Sequence, residues 1–394
     1  MIPSELLTDI KQSNCIPFLG AGISTENPFF KKHYGTNFYD HIKELAKPRS
    51  NTASMAFPDM MQYFCNKMDG GKKNRLIREI LNWIEPFCFE GGNHRFATLF
   101  HEEIRRIPYF RVFLTTNWDP FCERTLNVLV PMVEDRDIPF WDDSKRQVLK
   151  VHGCVTRPQT IVATRDDYEK CIAEKKSGAV ITKLRDLMGT KTFIFFGYSM
   201  SDPDFKSIYN EVISNLGEFR RSSYVVDPTP NENTIKAWEK QGVIAVKMSG
   251  TTFLREIIKD LEKNKIIATE KYISYLSVYR ELIGEMHGKT SENQSTDFGF
   301  MSSMYQDGLL HAMEHVIYKS QMGSEINDFR KELAEEFLPL LRGYQKRANS
   351  TEIAYYTGWV EVFDRFINQS RRVILPFLNP LTLKPIKFKT SPVK

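Results

Sequence analysis

The sequence predicts a doubly wound, Rossmann-like α/β fold with a parallel sheet, a helical insertion and a C-terminal helical module. Three observations carry that prediction. Short, nearly continuous apolar runs recur between Cys15 and Met248, as in strands covered on both faces of a parallel sheet. Stretches of helical spacing separate these runs, giving the strand–helix–strand order whose right-handed crossovers build such a sheet. After about Lys263 the strand-like runs stop and helical periodicity takes over.

Taken in order, the first strand is Cys15 to Leu19, although Pro17 weakens it because proline donates no ladder hydrogen bond. Residues 36–90 have little strand character; amphipathic pieces at Phe38 to Leu45, Met60 to Met68 and Arg75 to Ile84 predict the helical insertion. Strands then follow at Phe110 to Thr115, Val148 to Val151, Thr192 to Phe196, Ser223 to Val226 and Val243 to Val246. The helices between them fall at Leu99 to Ile107, Phe121 to Leu129, Val180 to Leu187, Phe205 to Leu216 and Thr234 to Glu239. The expected division is a first domain at 1–263 and a helical module at 264–394 for oligomerisation or partner contact. In that module helices are predicted at Ile273 to Leu282, Leu309 to Tyr318, Ile326 to Leu341 and Ile353 to Ile367. The polar stretch Gly284 to Gly299 reads as a surface loop, and Pro376 to Lys394 as a proline- and lysine-bearing tail. Tyr272, Tyr275 and Tyr279 recur at helical spacing and are expected to pack the module against the α/β core or a neighbouring subunit.

Composition narrows the class of function. A chain of 394 residues suggests two domains, at roughly 150 residues per domain. Its 54 Lys+Arg against 49 Asp+Glu leave +5, too dilute an excess to mark a nucleic-acid binder. A hydrophobic share of 41% excludes a disordered chain. No apolar run approaches the ~20 residues that cross a bilayer. The opening residues, with Pro3, Glu5 and Asp9, lack the order of an export signal. Six cysteines without a C-x-x-C pair read as free thiols of a cytoplasmic protein, with no zinc site.

In an open parallel sheet, ligands bind beyond the carboxyl ends of the strands, and five such ends carry unusual residues. The first is Gly20-Ala21-Gly22-Ile23-Ser24, a turn whose small residues allow close approach of a phosphate or simply a tight strand-to-helix connection. The second, Thr115 to Pro120, offers Asn117 and Asp119, which can equally cap the next helix. The third places His152 at a strand tip with Gly153 beside it. The fourth runs from Gly197 through Ser199 to Asp204, and the fifth is Asp227-Pro228, an acid where dinucleotide folds often hold a ribose hydroxyl. Their joint order says more than any one of them.

That order, GAGIS, TTNWD, VHG, FFGYSMSDPDF and YVVDP, resembles the sirtuin-like (silent-information-regulator) NAD-binding family, in the branch found in bacterial anti-phage defence, over roughly residues 5–260. The resemblance implies NAD as substrate, with Gly20, Ala21, Gly22 and Ser24 near the diphosphate. It implies Asn117 and Asp119 around the nicotinamide ribose and amide, His152 as base, and Gly197, Ser199 and Asp227 along the adenosine half. Two departures bear on the chemistry. Family deacetylases hold a zinc module by paired cysteines after the catalytic histidine, where this chain has only Cys154 and Cys171. Their loop after GAGIS continues in a G-I-P-D-F-R type run, where this chain reads Thr25-Glu26-Asn27-Pro28-Phe29-Phe30. Hydrolysis of NAD to nicotinamide and ADP-ribose needs neither element.

The chemistry of that cleavage fits the residue types. Breaking the ribose–nicotinamide bond builds positive charge on the sugar, as in glycoside hydrolysis, and nicotinamide leaves without a strong acid. An amide can donate to and accept from a ribose hydroxyl and a water. An imidazole titrating near neutrality can take the water's proton. The resemblance extends to sirtuin-like subunits that accompany a HerA-like hexameric ATPase, which implies control by self-assembly or by such a partner. The alternatives are a non-catalytic NAD or ADP-ribose sensor, which needs neither Asn117 nor His152, and a deacylase or ADP-ribosyltransferase.

Three other patterns are set aside. His311-Ala312-Met313-Glu314-His315 matches H-x-x-E-H but has no histidine after it, and reads as a polar helix face. Gly70-Gly71-Lys72-Lys73 lacks Walker A spacing and reads as a basic turn. Lys384, Lys387, Lys389 and Lys394 form a basic tail without an aromatic platform, so direct contact with nucleic acid is not expected.

Overall fold

A computed structural model of the chain describes residues 2–26, 38–47, 55–88, 98–174, 178–198, 217, 221–230, 232–240, 242–292 and 297–368. The chain divides into two compact units, Met1–Asp260 and Leu261–Lys394. The helix predicted at Phe205 to Leu216, the position Ser199 and the tail from Pro376 lie outside the described residues.

The first unit is built on six strands: β1 (Cys15–Leu19), β2 (Val112–Thr115), β3 (Gln147–Lys150), β4 (Thr192–Phe196), β5 (Ser223–Asp227) and β6 (Val243–Lys247). They form one sheet in the order β3-β2-β1-β4-β5-β6, and every pairing is parallel. This is the order of dinucleotide-binding Rossmann folds, with its reversal between β1 and β4. All six predicted runs become strands. The apolar runs are continuous because both faces are covered. On one face Phe193 and Phe195 pack with Leu184 and Leu187 of the helix Ala179–Thr190. On the other, Phe196 lies 5.2 Å from Phe100 and 5.4 Å from Phe253 between ring centres.

Pro17 is accommodated in the middle of this sheet by the ladder's alternation. The Leu19 carbonyl accepts from Thr116 beyond β2, whereas Gly20 N–H donates to Phe196 of β4. Pro17 therefore turns its missing donor toward β2, on whose side pairing begins only at Phe18. Toward β4 the register runs unbroken from Cys15 to Leu19. The proline thus leaves the pairing with β4 unbroken.

Between β1 and β2 the insertion forms helices Phe38–Ala46, Phe57–Asp69 and Asn74–Cys88. Ile42, Met60, Phe64 and Leu76 close against Val155 and Ile161 from the segment after β3. Lys73, read from sequence as part of a basic turn, anchors that segment: its Nζ donates to Asp167 Oδ1 at 2.8 Å and to the Ile161 carbonyl at 2.7 Å. Burial works against the Asp167 carboxylate. Lys73 and the N–H groups of Thr164 and Ala163 nevertheless hold it below the usual range. Asp167 sits in the helix Arg165–Glu174, which the sequence reading did not include.

The second unit consists of helices Glu270–Ser291, Asp297–Gln321, Ile326–Glu332, Leu338–Gln345 and Ser350–Asn368, among the described residues. Leu276, Met313, Val316, Leu333 and Phe363 share its core. Helices Asp297–Gln321 and Ser350–Asn368 meet backbone to backbone, since a Cβ on Gly308 would lie 2.0 Å from the Tyr355 carbonyl oxygen. Two sequence expectations are corrected here. Gly284 to Ser291 continues a helix and Asp297 to Gly299 begins one, so the polar stretch is not one loop. Gly284 and Gly288 face open space, and the helix takes its stability from packing at Ile283 rather than from propensity. The helix predicted unbroken over Ile326 to Leu341 contains a π-turn at Leu333–Phe337. Pro339 follows within the first turn of the next segment and brings no N–H to the ladder. Tyr272 packs inside this unit, 6.1 Å from Phe366.

Candidate active site

The point where strand order reverses is made of glycine. Gly20 N–H donates to the Phe196 carbonyl and Gly22 N–H to the Gly197 carbonyl, each at 2.9 Å. A Cβ on Gly20 would stand 2.5 Å from Gly197 O, and one on Gly197, whose φ is +58°, would stand 2.3 Å from Ile23 N. The ends of β1 and β4 thus touch through their backbones, and no larger residue fits. This gives the glycines a structural role, and the two N–H groups are spent on β4 rather than aimed outward. What the turn Ala21–Glu26 still offers is the exposed Ala21 and the Ser24 hydroxyl. Ser24 Oγ is buried and makes no hydrogen bond; leaving such a group unmet costs about 1–3 kcal/mol, which a polar ligand atom would offset.

At the tip of β2, Thr115 organises the loop. Its hydroxyl donates to the Leu19 carbonyl at 2.9 Å and accepts from Asn117 N–H at 3.0 Å. The Asn117 side chain turns toward β1, with Nδ2 3.4 Å from the Gly20 carbonyl oxygen. Asp119 Oδ1 accepts from Phe121 N–H at 3.1 Å, opening the helix Phe121–Thr125. Desolvation pushes the Asp119 carboxyl above its usual range, against the opposing influence of Lys150 and of that N–H. Between them Trp118 packs against Phe38 and Phe57 of the insertion, with ring centres 6.0 and 6.1 Å away. Its buried indole N–H has no acceptor.

At the tip of β3, Lys150 pairs in register with Thr115. His152 follows two residues later, its ring buried and 5.2 Å from Tyr168 at an interplanar angle of 68°. Gly153 has φ +84°, and a Cβ there would stand 2.2 Å from the Thr160 carbonyl oxygen. Only glycine lets the returning segment close so tightly that Val162 N–H donates to the His152 carbonyl at 3.0 Å. Beneath the loop, the Lys150 side chain is 0% exposed and its Nζ lies 3.0 Å from Glu123 Oε1. Burial alone would depress this ammonium, but the Glu123 carboxylate, with Cys154 and Asp119, raises it instead.

Gly20, Asn117 and His152 therefore end three adjacent strands on one rim, and Gly197 joins them at β4. Asp227 does not: it ends β5, one strand beyond β4, and its Oδ1 accepts from Thr229 N–H at 2.8 Å to close a turn. Sequence reasoning passed over Thr115, Trp118, Glu123, Lys150 and Tyr168. One signal was there, a lysine inside the otherwise apolar run Val148 to Val151.

Other candidate groups have different surroundings. Among the described residues no three His, Cys, Asp or Glu side chains are grouped to hold a metal. In the H-x-x-E-H pattern, His311 bonds Tyr355 at 3.0 Å, Glu314 pairs with Arg280 at 3.0 Å, and His315 is walled by aromatic rings. Cys15, Cys65, Cys122 and Cys154 are free thiols. No described helix is long and apolar enough to cross a membrane.

The sheet order and the glycine-built reversal define a Rossmann-like α/β protein in which the predicted residues Gly20, Asn117 and His152 share the β1–β2–β3 rim. Residues 111–246 match the SIR2-like domain family. It is similar to proteins named NAD(+) hydrolase ThsA. That of Bacillus cereus (strain MSX-D12) is 29% identical over 225 residues, 56% of this chain and 44% of the relative. That of Enterococcus faecium is 27% identical over 222 residues, 55% and 44% of the two chains. That of Acinetobacter baumannii (strain 532279) is 23% identical over 233 residues, 56% and 44%. The chain spans less than half the length of these curated relatives.

Proposed function

We propose that this chain cleaves NAD with water into nicotinamide and ADP-ribose, as an effector of bacterial anti-phage defence. The observation that carries the reading is the amide of Asn117 and the imidazole of His152 on neighbouring strand tips, two residues past the registered pair Thr115 and Lys150, in a region similar to proteins named NAD(+) hydrolases. In this reading Asn117 holds a ribose hydroxyl and the attacking water, and His152 accepts the proton as charge builds on the sugar. Asp119 holds the nicotinamide amide. Ser24 gives its unmet hydroxyl to the diphosphate, beside Ala21. Gly197, Ser199 and Asp227 line the adenosine half.

An enzyme that empties a shared cofactor pool has to be held silent until it is needed. We assign that control to the helical unit, through self-assembly or a HerA-like hexameric ATPase. Tyr275, Val278 and Leu282 support this: they are about half exposed and fall on one face of the helix Glu270–Ser291 by their spacing. The test is chromatography of NAD after incubation with the purified protein across a range of concentrations, alone and with a co-encoded ATPase. Nicotinamide released in stoichiometry with NAD loss is expected. NAD bound but intact under every condition would overturn the reading in favour of a sensor.

A further inference from the structure

Lys150 is a fully buried charge of the first unit, with a side chain 0% exposed, and the proposed mechanism gives it nothing to do. Its surroundings are specific. Nζ donates to the backbone carbonyl of Asp119 and to both oxygens of Glu123, at 3.0 and 3.2 Å. Glu123 lies on the helix Phe121–Thr125 and accepts in turn from the Cys154 thiol at 3.5 Å. One ammonium on β3 therefore fastens three pieces of chain: the loop after β2, the helix that follows it, and, through Glu123, the loop after β3.

Three of the four residues in this network lie two residues from Asn117 or His152. Asp119 is two past Asn117, while Lys150 and Cys154 are two before and two after His152. Burying a lysine and a glutamate to fasten loops is an expensive choice if stability were the only aim, because an apolar pair of similar volume in such a place is often neutral or stabilising. What the ion pair supplies and an apolar pair does not is a directional bond to a backbone carbonyl.

Resting on the NAD-cleaving reading, we infer that Lys150 is a positioning residue that fixes the Asn117 loop against the His152 strand end through its bonds to the Asp119 carbonyl and Glu123. Lys150 touches no reacting atom in this account. Its effect is on distance and angle, and displacements near 1 Å can cost on the order of 10²-fold in rate.

The test is the paired substitution Lys150→Met with Glu123→Leu, which removes both charges together and leaves neither buried alone. The fold is followed by circular dichroism and thermal melting, loop order by hydrogen exchange of peptides covering 116–120 and 151–155, and chemistry by nicotinamide release. A melting midpoint close to that of the unsubstituted protein is expected, with faster exchange in those two peptides and unchanged exchange in β1 and β4. The expected kcat falls roughly 10- to 100-fold while KM for NAD changes less than about threefold. A folded pair variant with unchanged exchange and unchanged kcat would overturn the inference. Should the pair variant fail to fold, Glu123→Gln keeps an acceptor and removes the charge: faster exchange at 116–120 with kcat at least about threefold lower supports positioning, and unchanged exchange refutes it. Where the unsubstituted protein releases no nicotinamide but the exchange result holds, the NAD reading fails and the fastening stands.

Discussion

Two histidines stood out in the sequence, His152 in V-H-G and His315 in H-x-x-E-H, and the structure, which buries the first and half-buries the second, surrounds them in opposite ways. His152 ends a strand beside Asn117, with a glycine next to it that no other residue could replace and a buried ion pair beneath. His315 points among Phe329, Phe337, Trp359 and Phe363, at 5.3–6.3 Å between ring centres, and its Nε2 has no partner. Burial depresses its imidazolium, with Lys319 adding to the effect. The comparison teaches that a buried histidine is informative through what its neighbours can exchange with it. Polar groups and a rim surround the first; the second serves as one more flat ring in a core.

The sharpest way to break this contrast is to remove the side chains. Asn117→Ala or His152→Ala is expected to lower nicotinamide release from NAD by roughly 10²–10⁴-fold, with the melting midpoint within a few degrees of the unsubstituted protein. Full turnover by either folded variant removes the rim from the mechanism. Next in size is the glycine beside His152. Gly153→Ala meets the Thr160 carbonyl and keeps an unfavourable φ, so urea unfolding should show a loss of roughly 2–4 kcal/mol.

A third histidine provides a calibration between the two. His101 is buried beside Thr98, whose hydroxyl lies 2.7 Å from Nδ1. Desolvation, with Lys150 adding to it, lowers its pKa from 6.5 to about 4. Its folded-state value is the lower one, so protons bind the unfolded chain first. Stability is intact above about pH 6.5 and is eroded as pH falls toward 4, by about 3 kcal/mol in total. Urea melts at pH 7 and pH 4 should show this loss, reduced in His101→Gln; equal losses in both proteins would remove His101 as its source. The smallest effect belongs to His315→Phe. Removing an unmet ring nitrogen is expected to gain up to about 1 kcal/mol at neutral pH and to leave NAD turnover unchanged. A large loss of turnover would show that this ring does more than pack.

The strands were legible in the sequence because both faces of the sheet's centre are covered, so each run is short and mostly apolar. Asn117 and His152 were legible because strand tips can be read from those runs. Lys150 was hidden by the same logic, since one charge inside an apolar run looks like the end of a strand rather than a buried fastening. The identity of Glu123 as its partner depends on a register that only pairing reveals. Asp227 was placed by analogy with other dinucleotide folds, and here one of its carboxylate oxygens, Oδ1, closes its own turn. The polar stretch Gly284 to Gly299 misled because glycines in a well-packed helix cost only about 1 kcal/mol each. Packing of the opposite face, at Ile283, offsets that cost.

The contact between Gly22 and Gly197 has a mechanical meaning. With backbone atoms already at closest approach, the β1 turn cannot move toward β4 without carrying β4's end along. Whatever settles on the Ala21 turn therefore presses on a hinge pin shared by both halves of the sheet.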